Sequence, residues 1–438
     1  MNRTLIYHCS ALLMDEAGTL LPDAFVAVEG EKILSVGAER PEGRFDREID
    51  GKGGVLMPGF VNAHTHVPMT LLRGYGGGCD LQTWLHQWIF PAEAKLDDRA
   101  VAAGAALGLA EMIASGTTAI ADMYMHTPAI AWTVLEAGIS ANLSVGGVFF
   151  GAPGDFSPDA CPDCQNQRRL TEEWHGAGGG QILVDASIHG EYTSNVPLWR
   201  WMADYARDRG LGMHVHVSET QTEHEECLTR WGKTPIGILD RYGVWDVRAL
   251  AAHCVWTTEE DWAVMAEKRV ACVHNPVSNL KLGSGVAWIP AMRRAGVPVA
   301  LGTDGVSSNN NTDMFEEMKF AAVLHNGITR DPLALLPMDV LRMATCGGAA
   351  ALGRRTGRIA PGFQADLILV DLDRPHLTPC HSVPDLLVYS ARGSDVTMNM
   401  ARGKIIYKDG EFLTLDLERI RAEVKNYAMP LVFGGEVR

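Results

Sequence analysis

Residues 57–66 read MPGFVNAHTH, a short apolar segment behind a Pro-Gly break that ends in two histidines one residue apart. Side chains alternate between the two faces of a β-strand, so His64 and His66 project from the same face. Two imidazoles on one face at a strand end supply half of a divalent-metal site. One His-x-His pair alone is a weak signal, because any strand that contains histidines can produce it by chance.

Three more polar side chains follow short apolar segments far along the chain. His216 opens the sequence HVSET, His253 lies in AAHCV, and Asp304 lies in LGTDG. Each apolar segment predicts a strand, with the polar residue at its carboxyl end. Because active sites of parallel barrels are built at the carboxyl ends of the strands, the convergence of these residues predicts a catalytic metal site.

Between Val55 and about Gly353 the sequence alternates strand and helix patterns, which indicates a parallel sheet. The predicted strands are 55–66, 117–122, 139–148, 182–189, 212–217, 249–253, 270–274 and 297–302. Eight such units suggest a closed (β/α)8 TIM-like barrel, with a doubly wound open sheet as the alternative. Ligands from the first, middle and last strands meet at one point only if the sheet closes, so the barrel is favoured.

Turn and cap residues mark the helices between these strands. Asp97 to Ser115 is predicted as a helix that ends at Gly116, and residues 128–137 as a helix that ends at Gly138.

Both ends of the chain are predicted to be rich in β-structure. Short β-like runs occupy residues 3–55, and similar runs follow Gly357 before a closing helix over about 416–427. We expect residues 1–55 and 357–438 to pair as a small β-sandwich domain beside a catalytic barrel of residues 56–356.

Composition narrows the class of protein. Of the 438 residues, 47% are apolar and 21% are charged, an ordinary globular balance, and the net charge of −15 argues against a nucleic-acid or anionic-membrane partner. Nine scattered cysteines predict no disulfide framework, and Cys161 and Cys164, which lack a second pair, are interpreted as part of a surface loop. Neither a signal peptide nor a membrane span is expected, so a cytoplasmic location is the simplest hypothesis.

Three imidazoles and one carboxylate are typical ligands of Zn²⁺, although Fe²⁺ and Mn²⁺ accept the same types. Such a metal lowers the pKa of bound water toward ~7. Glu219, three residues past His216, is the candidate proton shuttle. From the residues alone, His253 is either a ligand or a hydrogen-bonding electrophile, and Asp304 is both ligand and base. His214 is interpreted as a lower-layer barrel histidine.

Taken together, these motifs resemble the amidohydrolase superfamily and, within it, the aminohydrolase branch that acts on purines and related rings. The matching segments, in order, are 58–66, 216–220, 252–255, 278–283, 302–305 and, at the close, 357–359 and 366–367. Within that branch the sequence is most similar to the 5′-methylthioadenosine/S-adenosylhomocysteine deaminases, through residues 69–74, 84–85 and 91–93.

The resemblance implies one metal ion, usually zinc, and a hydrolytic deamination. The implied metal ligands are His64, His66, His216 and Asp304. The resemblance further assigns His253 to hydrogen-bond the attacking hydroxide, Glu219 to protonate the ring nitrogen, and Asp304 to take the hydroxide's proton. Relatives with two metals use a carboxylated lysine on a middle strand, and residues 139–148 contain no lysine.

The resemblance also suggests how a nucleoside is bound. Glu93 corresponds to a ribose-hydroxyl binder, Trp84 to a wall beside the 5′ substituent, and His189 to a residue that contacts the nucleoside. Adenosine-type nucleosides with small or apolar 5′ groups are therefore the expected substrates: 5′-methylthioadenosine, 5′-deoxyadenosine and adenosine.

Whether S-adenosylhomocysteine is accepted stays open at this point. Relatives that use it present arginines to its carboxylate, some from a region where this chain has Gly146-Gly147. Arg168 or Arg169 is the hypothesised substitute.

Two other functions remain as alternatives. One is a deaminase of a free purine or pterin base, or an s-triazine hydrolase, with the same metal machinery. The other is a non-catalytic scaffold, because some members of the superfamily have lost their metals. A small-molecule substrate is the expected partner, and a homo-oligomer is compatible with the sequence.

Overall fold

The computed structural model describes residues 2–79 and 81–434. In this part of the chain the strands are β1 Arg3–Leu12, β2 Leu20–Glu29, β3 Lys32–Gly37, β4 Arg47–Asp50, β5 Val55–Pro58, β6 Phe60–Thr65, β7 Thr117–Met123, β8 Ser140–Ser144, β9 Ile182–Val184, β10 Ala186–Gly190, β11 Met213–Val217, β12 Ala249–His253, β13 Ala271–His274, β14 Val299–Leu301, β15 Leu367–Val370, β16 Val396–Ala401, β17 Lys404–Lys408 and β18 Glu411–Phe412.

The α-helices of the same residues are α1 Leu81–Trp84, α2 Phe90–Glu93, α3 Asp98–Ala114, α4 Thr127–Ala137, α5 Pro162–Trp174, α6 Ala177–Gly180, α7 Val196–Arg209, α8 Gln221–Trp231, α9 Pro235–Arg241, α10 Glu259–Lys268, α11 Pro276–Lys281, α12 Ile289–Arg294, α13 Val306–Asn309, α14 Met314–Thr329, α15 Pro337–Arg342, α16 Gly348–Ala351, α17 Val383–Tyr389, α18 Leu417–Glu423 and α19 Met429–Phe433. Single π-helical turns cover Leu85–Ile89, Met343–Gly347 and Val424–Ala428. Among the described residues, no helix has the length and apolar character needed to cross a bilayer.

The central strands form two parallel sheets that follow one another around a barrel. One sheet has the order β6-β7-β8-β9 and the other β10-β11-β12-β13-β14. Only Asp185 separates β9 from β10, so the sheets are continuous on that side. The predicted α/β architecture, a TIM-like barrel with a β-rich unit, is confirmed. The division into a β-sandwich of residues 1–55 and 357–438 and a barrel of residues 56–356 stays a prediction.

The first and last barrel strands meet through individual bonds rather than a ladder in the described residues. The backbone N–H of Asp304 donates to the carbonyl of His64 at 3.0 Å. Below that bond, the buried Asn62 side chain donates to the Thr303 hydroxyl at 2.7 Å and accepts from the Thr303 backbone N–H at 3.0 Å. The line along which the first and last barrel strands meet, which we call the seam, therefore lies directly under the predicted ligands.

Small apolar side chains fill the barrel below the seam. Val61, Ala119, Ala121, Val273 and Ala300 belong to one buried cluster. The predicted ligands lie above this cluster, at the carboxyl ends of the strands.

Strands from both chain ends join in one nine-stranded sheet, of order β18-β17-β16-β15-β5-β1-β2-β3 with β4 beside β1. The sheet branches at β1, which pairs with β2 on one side and with both β4 and β5 on the other. Antiparallel pairing of β15 with β5 ties the C-terminal strands to the N-terminal ones.

The segment 55–66, predicted as one strand, is instead two strands in different sheets. β5 belongs to the nine-stranded sheet and β6 to the barrel, with Gly59 between them. The Gly59 N–H donates to the carbonyl of Asp366, whereas the Phe60 N–H donates to that of Gly116. A Cβ at Gly59 would lie 2.2 Å from the Thr118 side chain, so the crossing requires glycine.

The helix ends follow from local chemistry, as predicted. The Asp97 side chain accepts a hydrogen bond from the Ala100 N–H and caps α3, which ends before Gly116 at φ +98°. Helix α4 ends at Gly138, whose φ is +90°.

Two turn glycines of the nine-stranded sheet test whether the close contact between its N-terminal and C-terminal strands affects stability. Gly403 and Gly410 both have positive φ, +71° and +91°. A Cβ at Gly403 would lie 2.0 Å from the carbonyl oxygen of Gly30, whereas nothing lies within 4 Å of one at Gly410. Gly403→Ala should therefore lower the Tm clearly more than Gly410→Ala, whose cost is backbone strain alone, about 1–2 kcal/mol. Equal shifts in calorimetry would show that the approach of Gly30 does not matter.

Candidate active site

The four predicted metal ligands lie together at the mouth of the barrel. His64 Nε2 and His66 Nε2 lie 3.3 Å and 3.2 Å from Asp304 Oδ1. His216 Nε2 lies 3.3 Å from His66 Nε2. All four residues are buried or nearly so. Side chains from β6, from β11 and from the turn after β14 therefore point at one small volume.

Backbone carbonyls orient two of these imidazoles. His66 Nδ1 lies 2.5 Å from the carbonyl oxygen of Met123, and His216 Nδ1 lies 2.6 Å from that of His189. A carbonyl only accepts, so each Nδ1 carries a hydrogen, and in the neutral ring each Nε2 then presents a lone pair. His64 Nε2 is fully buried and has no hydrogen-bond partner among the described residues. These nitrogens are the donors that a metal uses.

The cluster requires positive charge at its centre. Two Nε2 lone pairs 3.3 Å apart repel each other unless a cation or a proton lies between them. Burial alone would lower the pKa of His66, but the carboxylate of Asp304 raises it to about 9. Three imidazoles and a carboxylate fit a divalent metal ion. The donor set therefore matches the metal site that the sequence predicts.

Outer partners hold the ligands in place. His64 Nδ1 lies 2.8 Å from His214 Nε2, so the histidine expected in a lower layer in fact supports a ligand directly. The Ser278 and Ser308 hydroxyls donate to Asp304 Oδ2 at 2.6 Å and 2.8 Å. Burial would raise the pKa of Asp304, but the contacts of its carboxylate with the His64 and His66 rings outweigh burial and hold that pKa well below its usual range.

His253 and Glu219 lie on the other side of the centre. His253 Nδ1 lies 2.8 Å from Asn279 Oδ1, and His253 Nε2 lies 3.8 Å from Glu219 Oε2. His253 also groups with His64 and His216, since ring nitrogens of the three lie within 4.8 Å of one another. Burial raises the pKa of Glu219, which keeps its carboxyl protonated to higher pH than usual.

Several residues at these strand ends have strained backbone conformations. Ser218, His253, Cys254 and Asp304 all have positive φ, between 48° and 73°, although none is glycine. Such conformations cost of order 1–3 kcal/mol each and cluster where a side chain must be aimed. No feature of the sequence indicated them.

A cavity of about 360 Å³ opens onto the centre. Three of its wall residues, Trp84, Glu93 and His189, were predicted from the sequence to bind substrate. The wall residues that the sequence did not suggest include Tyr124, Phe150, Asp163 and Tyr192. Position gives a signal for two of them, since Tyr124 directly follows β7 and Tyr192 closely follows β10.

Glu93 is a buried carboxylate without a full set of partners. Its Oε1 and the Tyr124 hydroxyl are both buried and have no hydrogen-bond partner among the described residues. Burial raises the pKa of Glu93 to about 6, although Tyr124 and His66 act to lower it. An acceptor left open in a cavity wall is satisfied by a ligand that donates hydrogen bonds.

Two predictions for the segment around α5 are wrong. Arg168 and Arg169 do not line the cavity; they form ion pairs with Asp159 at 2.6 Å and Glu173 at 3.1 Å on the partly exposed face of α5. Cys161 and Cys164 are buried at the start of α5 rather than lying on a surface loop.

Neighbouring histidines of the cavity allow a matched test of the metal site. His216→Ala should weaken zinc affinity by more than about tenfold, the loss that even an outer partner of a ligand causes. His189→Ala is the control: its ring centroid lies 4.8 Å from that of His216, but only its backbone carbonyl supports the ligand. Competition titration with a chromophoric chelator measures both. Equal affinity in the two variants would contradict the ligand assignment.

Comparisons with known proteins agree with this geometry. Residues 55–406 match the amidohydrolase family. A 5-methylthioadenosine/S-adenosylhomocysteine deaminase from Pelotomaculum thermopropionicum is 42% identical over 436 residues, covering 99% of each chain. A 5′-deoxyadenosine deaminase from Methanosarcina mazei is 42% identical over 432 residues, again covering 99% of each chain.

Solved structures show the same fold. An adenosine deaminase from Xanthomonas campestris with bound zinc is 34% identical, with a TM-score of 0.92 over 98% of each chain. An atrazine chlorohydrolase from Arthrobacter aurescens with zinc is 24% identical, with a TM-score of 0.90 over 98% of this chain and 100% of its own, a likeness of fold alone. The chain therefore belongs to the amidohydrolase family.

Proposed function

We propose that this protein is a metal-dependent hydrolytic deaminase of adenosine-type nucleosides. In such a reaction water replaces the amino group on the purine ring, and the products are the inosine analogue and ammonia. The relatives named as methylthioadenosine/S-adenosylhomocysteine, deoxyadenosine and adenosine deaminases support this class of substrate.

One observation carries the nucleoside assignment: the open acceptor of Glu93 in the cavity wall. Ribose hydroxyls are donors that would pair with it. A free purine base or an s-triazine has no such hydroxyls and would leave a buried carboxylate unpaired, which costs ≈ 1–3 kcal/mol or more. Sites built to bind a hydroxyl reject analogues that lack it for this reason.

The metal would be held by His64, His66, His216 and Asp304, and we propose zinc. When bound, it supplies a Lewis acid that makes water nucleophilic near neutral pH. The unpartnered Nε2 of His64 and the carbonyl-oriented rings of His66 and His216 fit this role.

The proton steps fall to two carboxyl groups of opposite character. Glu219, whose pKa is raised by burial, gives its proton to the ring nitrogen beside the attacked carbon. Asp304, held ionised, takes a proton from the attacking water and passes it to the departing amino group, which leaves as ammonia. The water's second proton returns to Glu219, so both carboxyl groups are restored and the atoms balance.

The remaining cavity residues position the reactants. His253, fixed by Asn279, holds the attacking oxygen by a hydrogen bond. Trp84 forms a wall beside the 5′ side of the nucleoside, and His189 contacts the sugar. Burial and the neighbouring histidines lower the pKa of His189 to about 4, so this ring stays neutral.

A substrate panel tests the proposal directly. Ammonia release should be seen with 5′-methylthioadenosine, 5′-deoxyadenosine and adenosine, and not with guanine, 8-oxoguanine or ammelide. Removal of the ribose 2′-hydroxyl should lower kcat/KM by about tenfold or more, because Glu93 loses a donor. In Glu93→Ala the same removal should change kcat/KM little.

Because the substrates with and without the 2′-hydroxyl are compared within each variant, a general loss of activity affects both equally and cancels in the ratio. An equal cost of the missing hydroxyl in the parent and in Glu93→Ala would mean that the ribose is bound elsewhere. Turnover of free bases without any nucleoside would favour the base deaminase or triazine hydrolase instead.

Glu219→Gln tests the proton donor. The amide has the same shape but cannot deliver a proton, so kcat should fall by about 10²–10⁴-fold while metal content is retained. Glu225→Gln, an exposed change on the neighbouring helix α8, is the control and should keep the parent kcat. Steady-state rates together with metal analysis decide, and a near-normal kcat in Glu219→Gln would remove this residue from the mechanism.

A further inference from the structure

A buried carboxyl group lies behind the proposed proton donor. Glu223 is the third residue of α8, it is buried, and no step of the proposed deamination uses it. It is not part of the wall of the cavity that opens onto the centre, whereas Glu219 is. A carboxyl group is costly to bury unless its oxygens have hydrogen-bond partners. The partners of Glu223 therefore indicate what it does.

Both oxygens of Glu223 accept hydrogen bonds from consecutive backbone amides. The Ser218 N–H donates to Oε1 at 2.8 Å, and the Glu219 N–H donates to Oε2 at 2.7 Å. Successive N–H groups converge on one anion where the backbone passes through a left-handed conformation, and Ser218 has φ +48°. Two buried hydrogen bonds to one carboxylate offset the cost of that conformation. Glu223 therefore stabilises the strained turn between β11 and α8.

These contacts differ from the ordinary capping of a helix. In a capping box the acidic side chain at the third helical position accepts from the backbone N–H of the N-cap residue. Thr220 is the N-cap of α8, and its side chain accepts from the Glu223 N–H at 3.2 Å. The Glu223 carboxyl group instead extends past Thr220 to the two residues before it. It therefore supports the turn that carries the proton donor.

The position of the Glu219 carboxyl group depends on this turn. Among the described residues its oxygens have two weak polar contacts, the Ser284 hydroxyl at 3.5 Å and His253 Nε2 at 3.8 Å. The Glu219 backbone amide, in contrast, is held by Glu223 at 2.7 Å. The backbone therefore does more than the side-chain contacts to fix where Glu219 enters the cavity.

We infer that Glu223 is a positioning residue for the deamination: by binding the amides of Ser218 and Glu219, it holds the Glu219 carboxyl group beside the ring nitrogen that receives its proton. The inference rests on the proposed function and adds to it a residue outside the cavity wall. A displacement of about 1 Å at the reacting groups can cost about 10²-fold in rate. Loss of this support should therefore slow the proton step and leave the metal ligands in place.

The charges of the two carboxyl groups agree with this arrangement. Burial raises the pKa of Glu223 to about 8, the charge of Glu219 adds to the rise, and the two amides act against it. Like charges in one buried region disfavour each other. When Glu219 carries its proton, Glu223 is therefore ionised more readily, and its oxygens then accept more strongly from the two amides. The turn is held most firmly in the state from which Glu219 donates.

Kinetics in two backgrounds test the inference in the intact, zinc-loaded protein. In Glu223→Gln an NH2 group that cannot accept replaces one oxygen, so kcat for 5′-methylthioadenosine should fall by about 10–10²-fold, while KM and zinc affinity stay within about twofold. In Glu219→Gln no proton donor is left to position, so adding Glu223→Gln should lower kcat by less than about twofold. Glu225→Gln, an exposed change on the same helix, is the control and should lower kcat in neither background.

Hydrogen exchange gives a readout that does not depend on turnover. The amides of Ser218 and Glu219 should exchange slowly in the parent protein and in Glu219→Gln, and faster in Glu223→Gln, because their acceptor is altered. Mass spectrometry of peptides that span residues 218–219 measures this exchange. Fast exchange of both amides in the parent protein would overturn the inference without any variant.

The outcomes separate this inference from the proposed function. A near-normal kcat in Glu223→Gln, an equal loss of kcat in both backgrounds, or a loss of zinc would overturn the positioning role and leave the proposed function standing. If the parent protein turns over no nucleoside, the proposed function is removed, and the positioning role with it, whatever the exchange of the two amides.

Discussion

The active site depends on bringing together electron-pair donors that repel one another in the absence of positive charge. The 3.3 Å separation of His66 Nε2 from His216 Nε2 is maintained because each ring is tied by its other nitrogen to a backbone carbonyl. Those carbonyls belong to the strand beside each ligand: Met123 ends β7 next to β6, and His189 lies in β10 next to β11. The order of parallel strands therefore fixes which imidazole nitrogen faces the centre of the cluster.

The contact between β6 and the turn after β14, at the seam of the barrel, also determines where these side chains lie. Asp304 follows β14 and is held against β6 by its bond to the carbonyl of His64. A Cβ at Gly302 would lie 2.8 Å from the backbone nitrogen and oxygen of His64, so the strands approach this closely only with glycine there. Asp304 reaches His64 and His66 from a left-handed backbone conformation, φ +60°. The local strain is offset by the buried bonds that Asn62 makes across the seam.

Sequence patterns predicted those parts of the molecule that local rules control. The alternation at His64 and His66, the cap at Asp97 and the stop at Gly116 each depend on neighbouring residues, and each is found in the structure. The division of 55–66 between two sheets was not predicted, because it depends on distant residues: the Gly59 N–H donates to Asp366 and the Phe60 N–H to Gly116.

The sequence patterns also did not predict contacts between side chains that lie far apart in the chain. His214 contacts His64 from 150 positions away. Arg168 was suggested because relatives present arginines to the carboxylate of S-adenosylhomocysteine, but in the structure it pairs with Asp159. Motif spacing therefore suggests candidate ligands at strand ends, whereas candidate substrate contacts require knowledge of which helix face meets the cavity.

The proposed deamination requires one protonated and one ionised carboxyl group in the same small cavity. Glu219 and Asp304 are both buried, so burial raises the pKa of each. Asp304 is lowered again because His64 and His66 contact it, and two hydroxyl groups donate to its second oxygen. Glu219 has much weaker support, a single hydroxyl contact at 3.5 Å and His253 at 3.8 Å. More polar groups contact the carboxylate of Asp304 than that of Glu219. This difference, rather than a difference in burial, shifts their pKa values in opposite directions, which suits one for the role of base and the other for that of acid.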